Sequence, residues 1–253
     1  METHLTLAYI LVGLAGFLAG AQNAIAGGGS FLTFPALLFA GLDPRAANIN
    51  STIALFPAQL TMGWAGRSLA QGASGLSLRV LVIISIIGGG IGAVLLLATP
   101  VSVFTHLVPW LILFATLVFI WGNFFARKRA EDEAPLLPPK LAMVVQFIIA
   151  VYGGYFGGGI GILMLAALTA VGMAVRHAGA TKNVLAGIMN VAAVLIFVVR
   201  GHVAWGLVAD QCVTAIIGGY IGVVILRRAP LNVLRIAVAC IGIVLTIGMF
   251  LRA

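Results

Sequence analysis

Two glycine clusters carry the spacing in this chain that most suggests chemistry. The first reads Ala26-Gly27-Gly28-Gly29-Ser30 and the second Gly157-Gly158-Gly159-Ile160-Gly161, and each leads into a short apolar run. Glycine has no side chain to hold a ligand away from the backbone, and the start of a helix offers free N–H groups together with the positive end of its dipole. Such a tip suits a small anion. Gln22, Asn23 and Ser30 add neutral hydrogen-bond donors beside the first tip, and Tyr152 and Tyr155 flank the second. The competing reading is that the glycines only let helices pack closely, as small residues commonly do in membranes. That reading is the natural one for Gly88, Gly89 and Gly90, which lie apart from the two clusters.

A polar group follows each short run: Asn48, Asn50, Ser51 and Thr52, then Thr181, Lys182 and Asn183. Helix N-capping explains these residues as well as solute contact does. Lys182 reads as a positive charge on the cytoplasmic face or, if incompletely solvated, as a cation that attracts the anion. Asp210 is the seventh residue of a run beginning at Ala204. An acid within an apolar segment is a functional candidate, here for proton coupling, although a depth of roughly 9 Å by helix rise leaves it close to an interface. Pro57 and Pro109 each fall inside an apolar run and predict kinks.

No catalytic constellation accompanies these residues. His4, His106, His177 and His202 lie in or near separate loops, and the sequence holds no HExxH, paired cysteines or P-loop. The expectation is therefore a protein without enzymatic activity, metal or other cofactor. Cys212 and Cys240 sit in apolar runs and read as buried thiols rather than a disulfide.

The elements that must position the tips follow from composition. Of 253 residues, 62% are hydrophobic and only 8% charged, with a mean hydropathy of +1.18. A soluble globule normally carries about a quarter charged residues, so this chain must use lipid as part of its solvent. The formal net charge of +8 sits mostly in short loops, which fits orientation in a membrane rather than nucleic-acid binding. Residues 5–25 lack a preceding basic stretch and read as a structural segment rather than a signal peptide.

Apolar runs fall at 5–25, 31–42, 51–66, 80–98 and 103–125, then at 141–157, 162–173, 183–199, 204–226 and 231–251. At about 20 residues per span, the length allows about eight full crossings. Segments 31–42 and 162–173, of about 12 residues each, cover only roughly 18 Å and predict hairpins with the segments before them. Arg127-Lys128-Arg129-Ala130-Glu131-Asp132-Glu133, followed by Pro135, Pro138 and Pro139, reads as a solvated linker. The expected organisation is a first transmembrane repeat at 1–126, a cytoplasmic linker at 127–140 and a second repeat at 141–253.

A shift of 131 residues aligns Gly27, Gly28, Leu32, Ala36, Leu37, Gly41, Arg45 and Ala47 with Gly158, Gly159, Leu163, Ala167, Leu168, Gly172, Arg176 and Ala178. If all five segments of each half cross or turn in sequence, one face carries Arg67, Arg79, Arg127, Lys128, Arg129, Lys140, Arg176, Lys182, Arg227 and Arg228, against Arg45, Arg200 and Arg252 on the other. Treating the short segments as non-crossing spreads the charge more evenly, so the positive-inside rule favours the first scheme, with both termini outside. An odd number of segments per half makes the repeats inverted, an arrangement typical of secondary transporters. The expected fold class is an all-α integral membrane protein of two inverted repeats of five helical segments, including short helices after the glycine-rich loops.

The order Gly27-Gly28-Gly29-Ser30-Phe31-Leu32-Thr33-Phe34-Pro35-Ala36-Leu37-Leu38, then Gly41, Ala46, Ala47 and Asn50-Ser51, resembles the sulfite exporter TauE/SafE family of membrane permeases. The resemblance spans the chain and is strongest at 16–66. It implies movement of sulfite, sulfonates or related sulfur-containing or carboxylate anions across the bacterial inner membrane without ATP. In the second half Ala166 stands where Pro35 has its counterpart, and Thr181-Lys182 replaces the polar pair, a departure that bears on the substrate. The functional expectation is a secondary transporter of a small anion by alternating access, with the solute held by the tip glycines 27–29 and 157–159 together with Gln22, Asn23, Ser30, Asn50, Ser51, Tyr155, Thr181, Lys182 and Asn183. Protons are the candidate coupling ion. A non-transporting membrane scaffold and an anion channel are the alternatives, and oligomeric state is open.

Overall fold

The protein's structure is a computed structural model that describes residues 2–25, 28–125, 138–226 and 231–251. Ten α-helices fill these residues: α1 Glu2–Ile25, α2 Ser30–Phe39, α3 Pro44–Gly66, α4 Leu78–Ala98, α5 Val101–Ile120, α6 Pro139–Tyr155, α7 Ile160–Ala170, α8 Val175–Arg200, α9 Trp205–Leu226 and α10 Leu231–Phe250. The all-α membrane fold expected from composition is thus the one observed, with no strand among the described residues. Most of the linker, residues 127–137, lies outside them, as do residues 26, 27 and 126.

The apolar pattern locates every helix but starts α3 and α8 too late, at 51 and 183 rather than at Pro44 and Val175. The true start of α3 is set by Asp43, whose carboxylate accepts from the N–H groups of Arg45 and Ala46, both at 3.0 Å, and by Pro44 at the first helical position. Asn48, Asn50, Ser51 and Thr52 therefore stand inside α3, and Thr181, Lys182 and Asn183 inside α8. N-capping does not account for any of them. They look like helix boundaries in the sequence because polar residues end an apolar run, whereas in the fold they are wrapped by neighbouring helices.

Polar side chains are buried among the apolar core, and large apolar ones cover the outside. Gln22, Asn50, Ser51, Gln146, Thr181, Lys182, Asn190 and Gln211 are buried, while Leu5, Ile10, Trp110, Leu195, Val199 and Val244 are exposed. Lipid reverses the usual cost of exposing such side chains. Among the described residues, Leu5–Asn23, Leu78–Ala98, Val101–Ile120 and Val175–Arg200 are long and apolar enough to cross a membrane. The short helices α2 and α7 have 10 and 11 residues, roughly 15 and 17 Å of rise, and fall short of a hydrocarbon core of about 30 Å.

Glycines let the long helices meet backbone to backbone. Gly16 and Gly20 of α1 abut Gln211 and Ala215 of α9, while Gly218 of α9 abuts Phe17; Gly88 and Gly92 of α4 abut Val151 of α6, and Gly154 abuts Gly89. A Cβ at Gly20 or Gly154 would collide with a carbonyl oxygen, so the packing reading holds for Gly88 and Gly89. In both pairs the contacts advance together along the chain, so α1 runs parallel to α9 and α4 parallel to α6. In α3 and α8 they run in opposite order, with Gln59 on Asn190, Gly63 on Asn183 and Gly66 on Ala180, so these helices are antiparallel.

The ends of α2 and α7 repeat each other bond for bond. Gly41 (φ +94°) donates to Leu38 O and Leu42 to Leu37 O; Gly172 (φ +85°) donates to Thr169 O and Met173 to Leu168 O. This is the double hydrogen bond that closes a helix on a left-handed residue, a conformation glycine takes at little cost.

Candidate functional site

Both glycine tips border one cavity of about 40 Å³, lined by Asn23, Gly28, Ser30, Gln59, Met62, Gly157, Ile160, Gly161, Lys182, Asn183 and Ala186. That is room for a small ion or a few waters. The first tip is carried by the end of α1, whose Asn23 accepts the Gly29 N–H on Oδ1 at 2.7 Å. Gly28 adopts φ +88°, so the chain can double back within a few residues and start α2 at Ser30. The second tip leaves α6 through Gly157 (φ +79°) and enters α7 through Gly159 (φ +73°), and Tyr152 braces it by donating its hydroxyl to Gly158 O at 2.8 Å.

Lys182 enters the same space from α8. It is 8% exposed, and among the described residues it makes no ion pair or hydrogen bond with the protein. A desolvated ammonium without a counter-charge is unfavourable unless something in the cavity compensates it. Around it the neutral carboxamides of Asn23, Gln59 and Asn183 and the hydroxyl of Ser30 supply hydrogen-bonding groups.

Gln59 is the polar lining residue that sequence reasoning missed. Its Oε1 accepts from Asn190 Nδ2 across the α3–α8 crossing. A signal existed: both are carboxamides inside apolar runs, and they stand 131 residues apart, the shift that aligns the two halves.

Of the residues singled out from the sequence, Asn23, Gly28, Ser30, Gly157, Lys182 and Asn183 meet at this cavity. Gly158 and Ser30 line a smaller adjoining one, about 10 Å³, with Phe31, Phe34, Asn48, Ile112, Phe156 and Leu245. Gln22 is buried against Gly28, and Gly29 and Gly159 form the turns themselves. Gly27 lies outside the described residues. Asn50 is committed elsewhere: Nδ2 donates to Ala46 O and His202 O at 2.7 and 2.9 Å, and Oδ1 accepts from Ala204 N at 2.7 Å. Ser51 shares a 2.6 Å hydrogen bond with Thr33, and Thr181 bonds the backbone N–H and carbonyl of Gln71. Tyr155 packs edge-on against Phe104 and donates to Thr99 Oγ1 at 3.3 Å. Asp210 faces Gly13 of α1, with Oδ2 buried and unpartnered, and lines neither cavity.

A family model described as Sulfite exporter TauE/SafE matches residues 12–249, nearly the whole chain. The chain belongs to this family. A "Probable membrane transporter protein" of Haemophilus influenzae is 29% identical over 92% of this chain and 91% of its own length. "Probable membrane transporter protein ORF9" of a Sinorhizobium species is 30% identical over 79% of this chain and 75% of its own. "Probable membrane transporter protein YfcA" of Escherichia coli K12 is 26% identical over 81% and 76%. Together with its helices, these relationships make this TauE/SafE family member a multi-pass membrane transporter.

Proposed function

We propose that this TauE/SafE family member is a secondary transporter of a small anion, sulfite, an organosulfonate or a related sulfur-containing organic acid, working by alternating access between two inverted halves in a bacterial inner membrane. The observation that carries this reading is Lys182, a buried cation without a protein counter-charge among the described residues, facing a cavity shared by two glycine tips. An anion arriving there would supply the missing charge and accept from the surrounding donors.

Inverted halves, at 1–126 and 141–253, are supported by which helices meet. In a two-fold arrangement α1 corresponds to α6 and α4 to α9, so α1 on α9 should be matched by α6 on α4, both in the same relative direction. Both pairs run parallel. The corresponding helices α3 and α8 should cross each other antiparallel at the axis, with equivalent residues touching, which is the relation of Gln59 to Asn190. Short segments that failed to cross would make α3 and α8 run the same way, so these directions favour the scheme in which both termini are periplasmic and the 127–140 linker is cytoplasmic. Residues near such an axis move little while the halves rock around them, which suits alternating access.

The test is flux in proteoliposomes with radiolabelled sulfite, methanesulfonate and short carboxylates, with and without a protonophore. Saturable uptake of a sulfur oxyanion that Lys182→Met lowers at least about tenfold is expected. Flux rising linearly with concentration would mean a channel, and absence of flux for every anion would leave a scaffold. Sensitivity to protonophore that disappears in Asp210→Asn would assign proton coupling to Asp210; unchanged sensitivity would remove it from that role.

A further inference from the structure

Asn23 presents two hydrogen-bonding groups, and the fold has already used one. Its Oδ1 accepts the Gly29 N–H at 2.7 Å. A backbone N–H can only donate, so this bond settles which atom is which: the oxygen is the group held by Gly29, and Nδ2, packed close to the same glycine, is the carboxamide group still free. Nδ2 is buried and has no hydrogen-bond partner, although the residue is only 9% exposed and lines the cavity that holds Lys182. An orphaned buried donor carries a desolvation cost. Next to an uncompensated ammonium, two donors lack acceptors in one small space.

We propose that Asn23 selects the charge and protonation state of the solute: with its oxygen held by Gly29, it has only its N–H₂ group left to offer a solute, so that with Lys182 the site takes a fully ionised oxyanion, all acceptors, and discriminates against neutral or protonated molecules of the same shape. This rests on the anion-transport reading above and adds to it the residue that sets selectivity and the feature it reads. The tip backbone and the selecting side chain form one unit, because the hydrogen bond that shapes the turn at Gly29 also leaves only the donor free.

Two substitutions separate selection from simple support of the turn. Asn23→Asp keeps the size and the acceptor for Gly29 N–H but replaces the donor by an anionic oxygen. Asn23→Ala removes both groups. A supporting role predicts that the aspartate variant transports normally and the alanine variant fails. A selecting role predicts the reverse order, with the aspartate variant losing at least about tenfold in the initial rate of methanesulfonate uptake relative to the alanine variant, since hydrogen bonds to a charged group are among the stronger ones. Wild-type protein in detergent supplies a readout that needs no variant to fold: millimolar methanesulfonate should raise its melting temperature, and methanesulfonamide, neutral and of similar shape, should not. Equal stabilisation by both, or an aspartate variant as active as wild type, would overturn the assignment of Asn23. Failure of wild type to bind or carry methanesulfonate, sulfite or any carboxylate would instead sink the transport reading beneath it.

Discussion

At the first tip Gly28 turns at φ +88° and an asparagine side chain holds the next glycine; at the second Gly159 turns at φ +73° and a tyrosine hydroxyl holds the glycine before it. The turns that end α2 and α7 have the same hydrogen bonds on equivalent residues. The side chains over the tips differ sharply. Ser51, which the 131-residue shift pairs with Lys182, is sealed into a buried hydrogen bond with Thr33, and Met164, buried and apolar, stands where Thr33 has its counterpart. One half thus closes on itself through neutral hydroxyls while the other brings a cation to an open space. Backbone geometry is retained in both halves because each must reverse direction within a few residues. On the proposed anion-transport reading the charge is needed once, since a single small anion needs one counter-charge, and a second buried lysine would add desolvation cost without a ligand.

The strongest way to break this comparison is at the tips. Gly28→Val and Gly159→Val place a β-branched residue at positive φ, a strain of roughly 1–3 kcal/mol each, and should reduce transport to background with expression retained. Gly28 is the more crowded, its new Cβ falling 3.2 Å from Gln22 Nε2 and 3.4 Å from the Phe119 ring, against 3.4 Å from Ala115 O at Gly159. Normal transport by both variants would refute the tip site. Next, Lys182→Met should lower uptake about 10- to 150-fold, the loss expected when an ion forfeits a charged contact worth ~1.5–3 kcal/mol. Its melting temperature should stay level or rise, because an uncompensated charge has left the interior; a protein that melts much lower would mark Lys182 as structural.

Smaller effects sharpen the contrast between site and scaffold. Gly41→Ala meets no atom within 4 Å, so only its left-handed backbone should count, roughly 1–2 kcal/mol of stability, read by thermal melting with transport kinetics intact. Replacing Gln59 and Asn190 by leucine singly and together should show a coupling of about 0.5–3 kcal/mol, whereas additive effects would mean that the pair does not act as one contact. Ser51→Ala should cost the least, about 0.5–1.5 kcal/mol for its hydrogen bond to Thr33, and leave the affinity for the anion unchanged.

Much of this was legible in the residues. Ten apolar runs became ten helices, the short runs stayed short, and the glycines at 28–29 and 157–159 marked the loops before α2 and α7. Helix starts at Pro44 and Val175 were not legible, because a polar residue buried by its neighbours looks in sequence like one facing water. For the same reason Asn50 and Thr181, which resemble Asn23 and Lys182 as polar residues near a tip, gave no sign that they serve as struts to His202, Ala204 and Gln71.

Composition and periodicity determined on their own that the chain lives in lipid, where its helices run and where glycine interrupts them, because hydrophobic transfer and backbone sterics act on each segment regardless of its partners. Only the tertiary structure decided which polar side chains meet. Asn23, Gln59 and Lys182 come from three helices far apart in the chain, and whether such a group is satisfied by a neighbouring backbone or left facing a cavity depends on packing between those helices rather than on the residue or its spacing.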